Sequence, residues 1–329
     1  LYDYTNKMKT LGDPMLKGFQ QVDLAIGEIL AAAPENASVV LFAVHGMGAN
    51  LTDLLSMMLL PEVLYRFNFP GKAALGYGDI NQPVPPVITK NIRNGWSAEV
   101  WRQAYESNPL KKFWQTWTHK KFLHGSKHGL LSPYPLMDNK VQLSWMPAFW
   151  YSSLWPKMKA FALPAFADGH IRINLKGRDR DGIVEPSEYD ALCSEITEFL
   201  HRLKDGRSQQ PLVKQVVRTR TSPLDDNPKL PDPDLIVVWE EIATDVVDSP
   251  DVGRIGPITF NRPGGHRENG FLLAKGQGIQ AKDNLSDGRA VDIAATILNL
   301  MGAPIPDYFD SKPLLESLAL VSQESGLNQ

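Results

Sequence analysis

Cysteine is almost missing from this chain: Cys193 is the only one in 329 residues, so no internal disulfide can staple the fold. That fits a reducing compartment, and the expected localisation is cytoplasmic. No uninterrupted apolar run approaches the roughly 20 residues that cross a bilayer, which leaves no transmembrane segment to read from hydropathy. An excess of one charge is lacking too. With 34 basic and 37 acidic side chains the formal net charge is -3, which gives no global case for binding nucleic acid or an anionic membrane. Internal repeats and low-complexity tracts are absent. The first residue is Leu1, with no initiator Met, basic n-region or signal-like stretch after it, and a processed product or fragment is the expectation.

What is present is enough apolar material, 43% of the residues, to bury a substantial core in one large or two ordinary domains. The most informative stretch is residues 39–50, VVLFAVHGMGAN. Its opening apolar run between polar flanks reads as a strand buried on both faces of a parallel sheet. His45 then stands where such a strand ends. Ligands of open α/β sheets bind at the carboxyl ends of strands, so His45 before a Gly-Met-Gly turn is a candidate site residue as well as a plain turn residue.

Before that strand, Asp13 and Pro14 read as an N-cap and first helical position, and apolar residues at helical spacing predict an amphipathic helix over residues 15–33. A Leu- and Met-rich helix follows at residues 51–65. Seven of the eight tryptophans then fall between residues 90 and 160, and residues 90–130 hold eight Lys or Arg against two acids. This reads as an inserted Trp-rich, basic, helical subdomain at 71–160. It either grips an anionic substrate or partner, or packs as a helical cap with its lysines in water. His124 and His128 have the four-residue spacing of helical metal ligands, but Gly125 between them weakens a helix there.

Further on, Ile171, Ile173 and Leu175 alternate with polar residues as in a strand. Ser187 and Asp190 suggest a capping box for a helix running to a basic last turn at His201, Arg202 and Lys204. Residues 213–217 are a short strand candidate; DLIVVW at 234–239 and FLLA at 271–274 read as further buried strands. Asp292 is the expected N-cap of a helix that Gly302 ends. The expected division is a helix-strand-helix part of the core at 1–70, the insertion at 71–160, the rest of the core at 161–318 and a flexible tail at 319–329.

His45 and His266, each flanked by glycine and each next to an apolar strand, form a pair suited to a metal, since neutral imidazole is a common zinc ligand. Five ordered segments then carry a resemblance: VDLAIGEIL with VVLFAVHGMG, GHIRINLKGRDRDGIVEPSEYDAL, PDLIVVW, GGHRENGFLLAKGQGI and DIAATILNLMGAPIPDYFD. Together they resemble the alkaline phosphatase superfamily, in its type I phosphodiesterase and nucleotide pyrophosphatase branch. The resemblance implies an α/β, three-layer fold with a mostly parallel central sheet, here without its usual N-terminal segment.

It also implies a metal-dependent phosphate ester hydrolase with two divalent ions, zinc or manganese, beside a Thr or Ser nucleophile. His45 matches the histidine of the family's Asp-His pair, and His266 that of its Gly-x-His segment, so each is implied as a metal ligand. Asn50 and Arg267 flank the histidines as candidate contacts to a phosphate oxygen. Two departures stand out: Val44 replaces the family's Asp, and no residue matches the nucleophile. The alternative is therefore a catalytically degenerate member acting as a binding or scaffold module. The implied partners are a phosphate ester small molecule if the chain is active, or a second subunit or chain covering an open sheet edge.

Overall fold

The computed structural model describes residues 12–88, 95–117, 125–225, 227–276, 279 and 287–315. In chain order the elements begin with α1 (Pro14–Ala32), β1 (Val39–Ala43) and β2 (Gly46–Ala49). A π-helical turn (Leu55–Leu59) runs into α2 (Leu60–Asn68), followed by β3 (Tyr77–Gly78). Four short helices come next, α3 (Trp96–Arg102), α4 (Pro109–Trp117), α5 (Pro133–Asp138) and α6 (Pro147–Trp150). Then come β4 (Ala160–Leu163), β5 (Gly169–Ile173), α7 (Tyr189–His201), β6 (Lys204–Asp205), β7 (Val213–Arg218) and β8 (Leu235–Trp239). The last elements are β9 (Val247–Ser249), β10 (Gly253–Ile255), β11 (Gly264–Arg267), β12 (Phe271–Lys275) and α8 (Asp292–Leu300).

These elements form two compact units, one of Ala49–Gly265 and a smaller one of Tyr2–Gly48 with His266–Gln329. The stretch read as an insertion, 71–160, lies in the same unit as 161–265.

The larger unit is mixed α/β, but its sheets are small and antiparallel. One has the order β4-β5-β8-β7 and the other β3-β10-β9-β6. The expectation of a mostly parallel central sheet is corrected here: β5 runs antiparallel to both β4 and β8, with Ile171 opposite Ala162 and Leu235. The physical reason is that an apolar run reports burial, not the direction of its neighbour. Leu235, Val237 and Trp239 do point inward as their pattern requires, with the residues between them half-buried.

Under this core lies the segment LSMMLLPEVLYR, apolar nearly all round and buried along its whole length, as a helix with no polar face must be. It approaches the sheet so closely that a Cβ on Gly169 would come 2.7 Å from Leu60 Cδ2 and 3.0 Å from Trp239 Cζ2. Only glycine fits there. The tryptophans behave mainly as packing residues: Trp101 and Trp150 are fully buried and meet edge to face at 5.5 Å. Trp96 donates its indole N–H to Thr259 O at 2.6 Å. His128 Nε2 lies 2.7 Å from Tyr105 O, and His124, the other member of the four-residue pair, lies outside the described residues.

Helix α7 buries Tyr189, Leu192, Ile196, Phe199 and Leu200, which recur at helical spacing, together with Cys193. Its capping box differs from the expected one. Glu185 and Glu188 make it, around a 3₁₀ turn at Pro186–Glu188, because Pro186 moves the start of the helix upstream of Ser187. Cys193 sits inside this packing, and burial pushes its thiol up to about 11. In the native protein at neutral pH it should therefore be inert to a chromogenic disulfide reagent and react fully only on unfolding. Rapid labelling of the folded chain would contradict this placement.

The smaller unit is less enclosed. Asp13 caps α1 by accepting from Met15 N at 2.9 Å and Leu16 N at 3.1 Å, with Pro14 at the first position as expected. No residue of α1 is buried, so the stripe read from its periodicity stays exposed. Strand β1 pairs antiparallel with β12, Val39 opposite Lys275 and Ala43 opposite Phe271. Both were expected as buried strands, β1 in a parallel sheet; instead β12 alternates between exposed and half-buried residues and β1 is half-buried to exposed. Asp292 is the first residue of α8 rather than its N-cap. Its carboxylate accepts from Arg289 N at 2.7 Å, which holds it below the ordinary carboxylate range. Among the described residues no helix is long and apolar enough to cross a membrane.

Candidate functional site

The turn that ends β1 carries Val44, half exposed, and His45, and the chain then enters β2, which pairs with β11. His266 lies on β11. The ribbon is drawn tight by its glycines. A Cβ on Gly46 would lie 2.5 Å from Asn269 O, and one on Gly48 would run into the Arg267 side chain, 3.0 Å from its Cγ. The Gly-Met-Gly motif is thus needed for close strand approach, and Arg267 and Asn269 occupy the space that small residues leave.

That approach brings together two imidazoles 221 positions apart. His45 Nδ1 and His266 Nδ1 are 3.1 Å apart, with ring centroids 4.2 Å apart and planes crossing at 81°. His45 Nδ1 is also 3.3 Å from Gly46 O. Both side chains are exposed to solvent. With one ring neutral as donor and the other as acceptor, the two nitrogens can share a single hydrogen bond. With both lone pairs free, they can instead face one cation.

The separation decides what kind of metal the pair suits. Two imidazole nitrogens on one tetrahedral zinc, each at about 2.0–2.1 Å, stand about 3.3 Å from each other. The observed 3.1 Å fits two ligands of a single ion. Among the described residues there is no group of three or more His, Cys, Asp or Glu placed to hold a metal. The two-metal set implied by the family resemblance is therefore not assembled by these residues, and no chemical step is derived through it.

The other two sequence candidates are placed differently. Asn50 is buried in the larger unit, where its Nδ2 donates to Asp53 Oδ2 at 3.0 Å and its Oδ1 accepts from Asp53 N at 3.3 Å. Both of its polar side-chain atoms are committed to this turn, and Arg262 Nε adds a bond to the same Asp53 at 2.9 Å. Arg267 follows His266 directly and lies across Gly48.

The larger unit also has a surface cleft of about 470 Å³, which sequence reasoning did not find, lined by Arg66, Lys72, Tyr77, Phe199, Arg202 and Asp251 among others. Arg66 is held by Glu62 and Arg202 by Asp251, so its two arginines are already neutralised.

No family model, no curated protein and no solved structure matches this chain. The histidine pair therefore has to be interpreted from its own geometry.

Proposed function

We propose that the histidine pair is a divalent-cation site inherited from a phosphodiesterase-like hydrolase of the alkaline phosphatase superfamily. The observation that carries this is the 3.1 Å approach of His45 Nδ1 to His266 Nδ1 across a glycine-lined ribbon. Two residues marked by sequence as ligands, far apart in the chain, lie at a separation suited to one ion. The five ordered motif segments support the same descent. Phosphate ester cleavage needs more than this pair: a nucleophile and at least one further ligand have to be brought to it. Arg267, next to His266, is the residue we assign to an anionic oxygen of the ester.

A second reading is that the chain is a catalytically degenerate binding or scaffold module. It is favoured by Val44, whose isopropyl group offers no oxygen where the resembled family has a carboxylate, and by the absence of a third ligand among the described residues. The two readings separate in one experiment. Elemental mass spectrometry after dialysis against metal-free buffer should find about one zinc per chain held by the pair. His266→Ala should weaken zinc binding by at least about tenfold while leaving the fold intact. Metal-dependent cleavage of a chromogenic phosphodiester that His266→Ala abolishes would support the hydrolase; zinc binding without cleavage would support the module. A folded chain that binds no zinc, or a variant that binds it as well as the parent, would remove the metal assignment altogether.

A further inference from the structure

The cleft of the larger unit is walled by residues at the end of α2 and in the turn after it, by Tyr77 of β3, by α7 with Arg202 behind it, and by the turn between β9 and β10. Its volume of about 470 Å³ falls in the range of pockets that hold small molecules. Part of its lining is apolar: Phe67 and Phe199, with ring centroids 5.0 Å apart, face it together with Pro70 and Val252. Tyr77 is half exposed, and its ring is held 4.9 Å from that of Tyr105 and 6.0 Å from Arg66 Cζ. Gly71 and Gly253 also line the cleft, and a Cβ on either would meet nothing within 4 Å, so the space beside both turns is open.

Charge decides what suits this space. Two of its cations are committed. Arg66 donates from Nε to Glu62, from Nη1 to Val252 O and Arg254 O, and from Nη2 to Leu75 O, while Arg202 pairs with Asp251 at 2.8 Å. Lys72 is exposed and has no carboxylate partner among the described residues; its ammonium stands 5.5 Å from the centroid of the Phe69 ring. Glu195, exposed on α7 one turn before Phe199, has no cationic partner among the described residues. What remains uncompensated is one ammonium and one carboxylate, on different walls of a cleft with apolar lining. A ligand of a single sign would lose water to meet one of them and face an uncompensated like charge from the other.

We infer that the cleft binds a zwitterion with an apolar body, an amino acid of the phenylalanine type or a dipeptide with free ends. Its carboxylate meets Lys72 and its ammonium meets Glu195, each as a charge-assisted hydrogen bond, and its side chain lies against Phe67 and Phe199. Such a ligand brings no net charge to a lining whose charges already balance, and it uses both groups that the fold leaves unpaired.

The test titrates the full chain with L-phenylalanine and with L-phenylalanyl-L-alanine, read by ligand-observed nuclear magnetic resonance. For a ligand of this size in an open cleft, a Kd on the order of 1 mM is expected, weakening as salt rises. N-acetyl-L-phenylalanine, which lacks the ammonium, and L-phenylalaninamide, which lacks the carboxylate, should each bind at least about fivefold more weakly. Lys72→Gln and Glu195→Gln, both at exposed side chains, should each weaken binding of the zwitterion by about fivefold at unchanged melting temperature. Lys72→Glu with Glu195→Lys should recover part of the loss that either reversal causes alone, because the ligand can turn end for end. A dipeptide that binds at least about tenfold more tightly than the amino acid assigns the cleft to peptides, and equal affinity assigns it to the amino acid. The proposal is overturned if neither zwitterion binds at about 20 mM, if the analogues lacking one charge bind as well as the zwitterion, or if both glutamine variants bind like the parent.

Discussion

Asp234→Ala is expected to destabilise the larger unit by about 3–5 kcal/mol, a large share of the roughly 5–15 kcal/mol that holds a domain folded. Asp234 is fully buried and has no water to fall back on. Its Oδ1 accepts from Arg178 Nη1 at 2.6 Å and from the Tyr189 hydroxyl at 2.7 Å. Its Oδ2 accepts from Arg178 Nη2 and from Ile173 N, both at 2.7 Å. Arg178 Nη2 in turn donates to Ile173 O at 2.7 Å, so one carboxylate ties β5, β8, α7 and the charged loop after β5 together. Arg220, which is buried, brings its Nη1 to 3.7 Å from Asp234 Oδ1.

Removing the carboxylate takes the shared counter-ion from the buried Arg220 and from the half-buried Arg178, which keeps only Asp179, and strands a phenol and a backbone N–H. Asp234→Asn keeps part of the hydrogen bonding but not the charge and should fall between the parent and the alanine variant. All eight tryptophans belong to this unit, so tryptophan emission in a urea titration follows it directly. A shift worth less than about 1 kcal/mol would mean that the knot is a passenger and that packing alone holds these strands.

The second large effect is expected at Glu62, a carboxylate with no exposed surface in the apolar helix α2. Its Oε1 accepts from Arg66 Nε at 2.8 Å and Ala74 N at 2.9 Å; its Oε2 accepts from Leu75 N at 3.0 Å and the Tyr151 hydroxyl at 2.5 Å. Four donors thus converge on one side chain. Tyr151 is raised well above the usual phenol range, first by burial and then by this carboxylate, so it stays a donor at any ordinary pH. Glu62→Ala orphans all four donors, including a buried arginine, and should cost about 3–5 kcal/mol.

Changing both partners should cost less than the sum of the single changes. Arg66 also donates to Arg254 O at 2.8 Å and Val252 O at 3.1 Å, so Glu62→Leu with Arg66→Met removes the buried charges but frees those carbonyls. The double-mutant cycle should report a coupling of roughly 1–3 kcal/mol between Glu62 and Arg66. Additive losses would mean that the four hydrogen bonds to Glu62 act independently, against the reading of a single buried network.

Both networks were hard to read from the sequence for the same reason. Arg178 lies in a charged, glycine-punctuated loop that resembles any solvated loop, and Glu62 is one acid in an apolar helix. Nothing local marks either as buried, because burial of a charge becomes affordable only when partners from distant segments arrive together.

Local chemistry was enough to place many elements. Asp13 and Pro14 start α1 where a cap and a fixed φ must start it, the alternation of Ile171, Ile173 and Leu175 with polar residues puts those three inside, the apolar run 235–239 forms a strand, and the stripe of α7 is buried as its period requires. The sequence also singled out His45 and His266. What it could not contain is their separation, the antiparallel direction of the strands, the turn that occupies Asn50, or the exposure of α1. A residue's period and propensity act over a few neighbours and are written in the chain. Which strand runs beside which, and which apolar face finds cover, are set by contacts between segments hundreds of positions apart, and only the tertiary structure decided them.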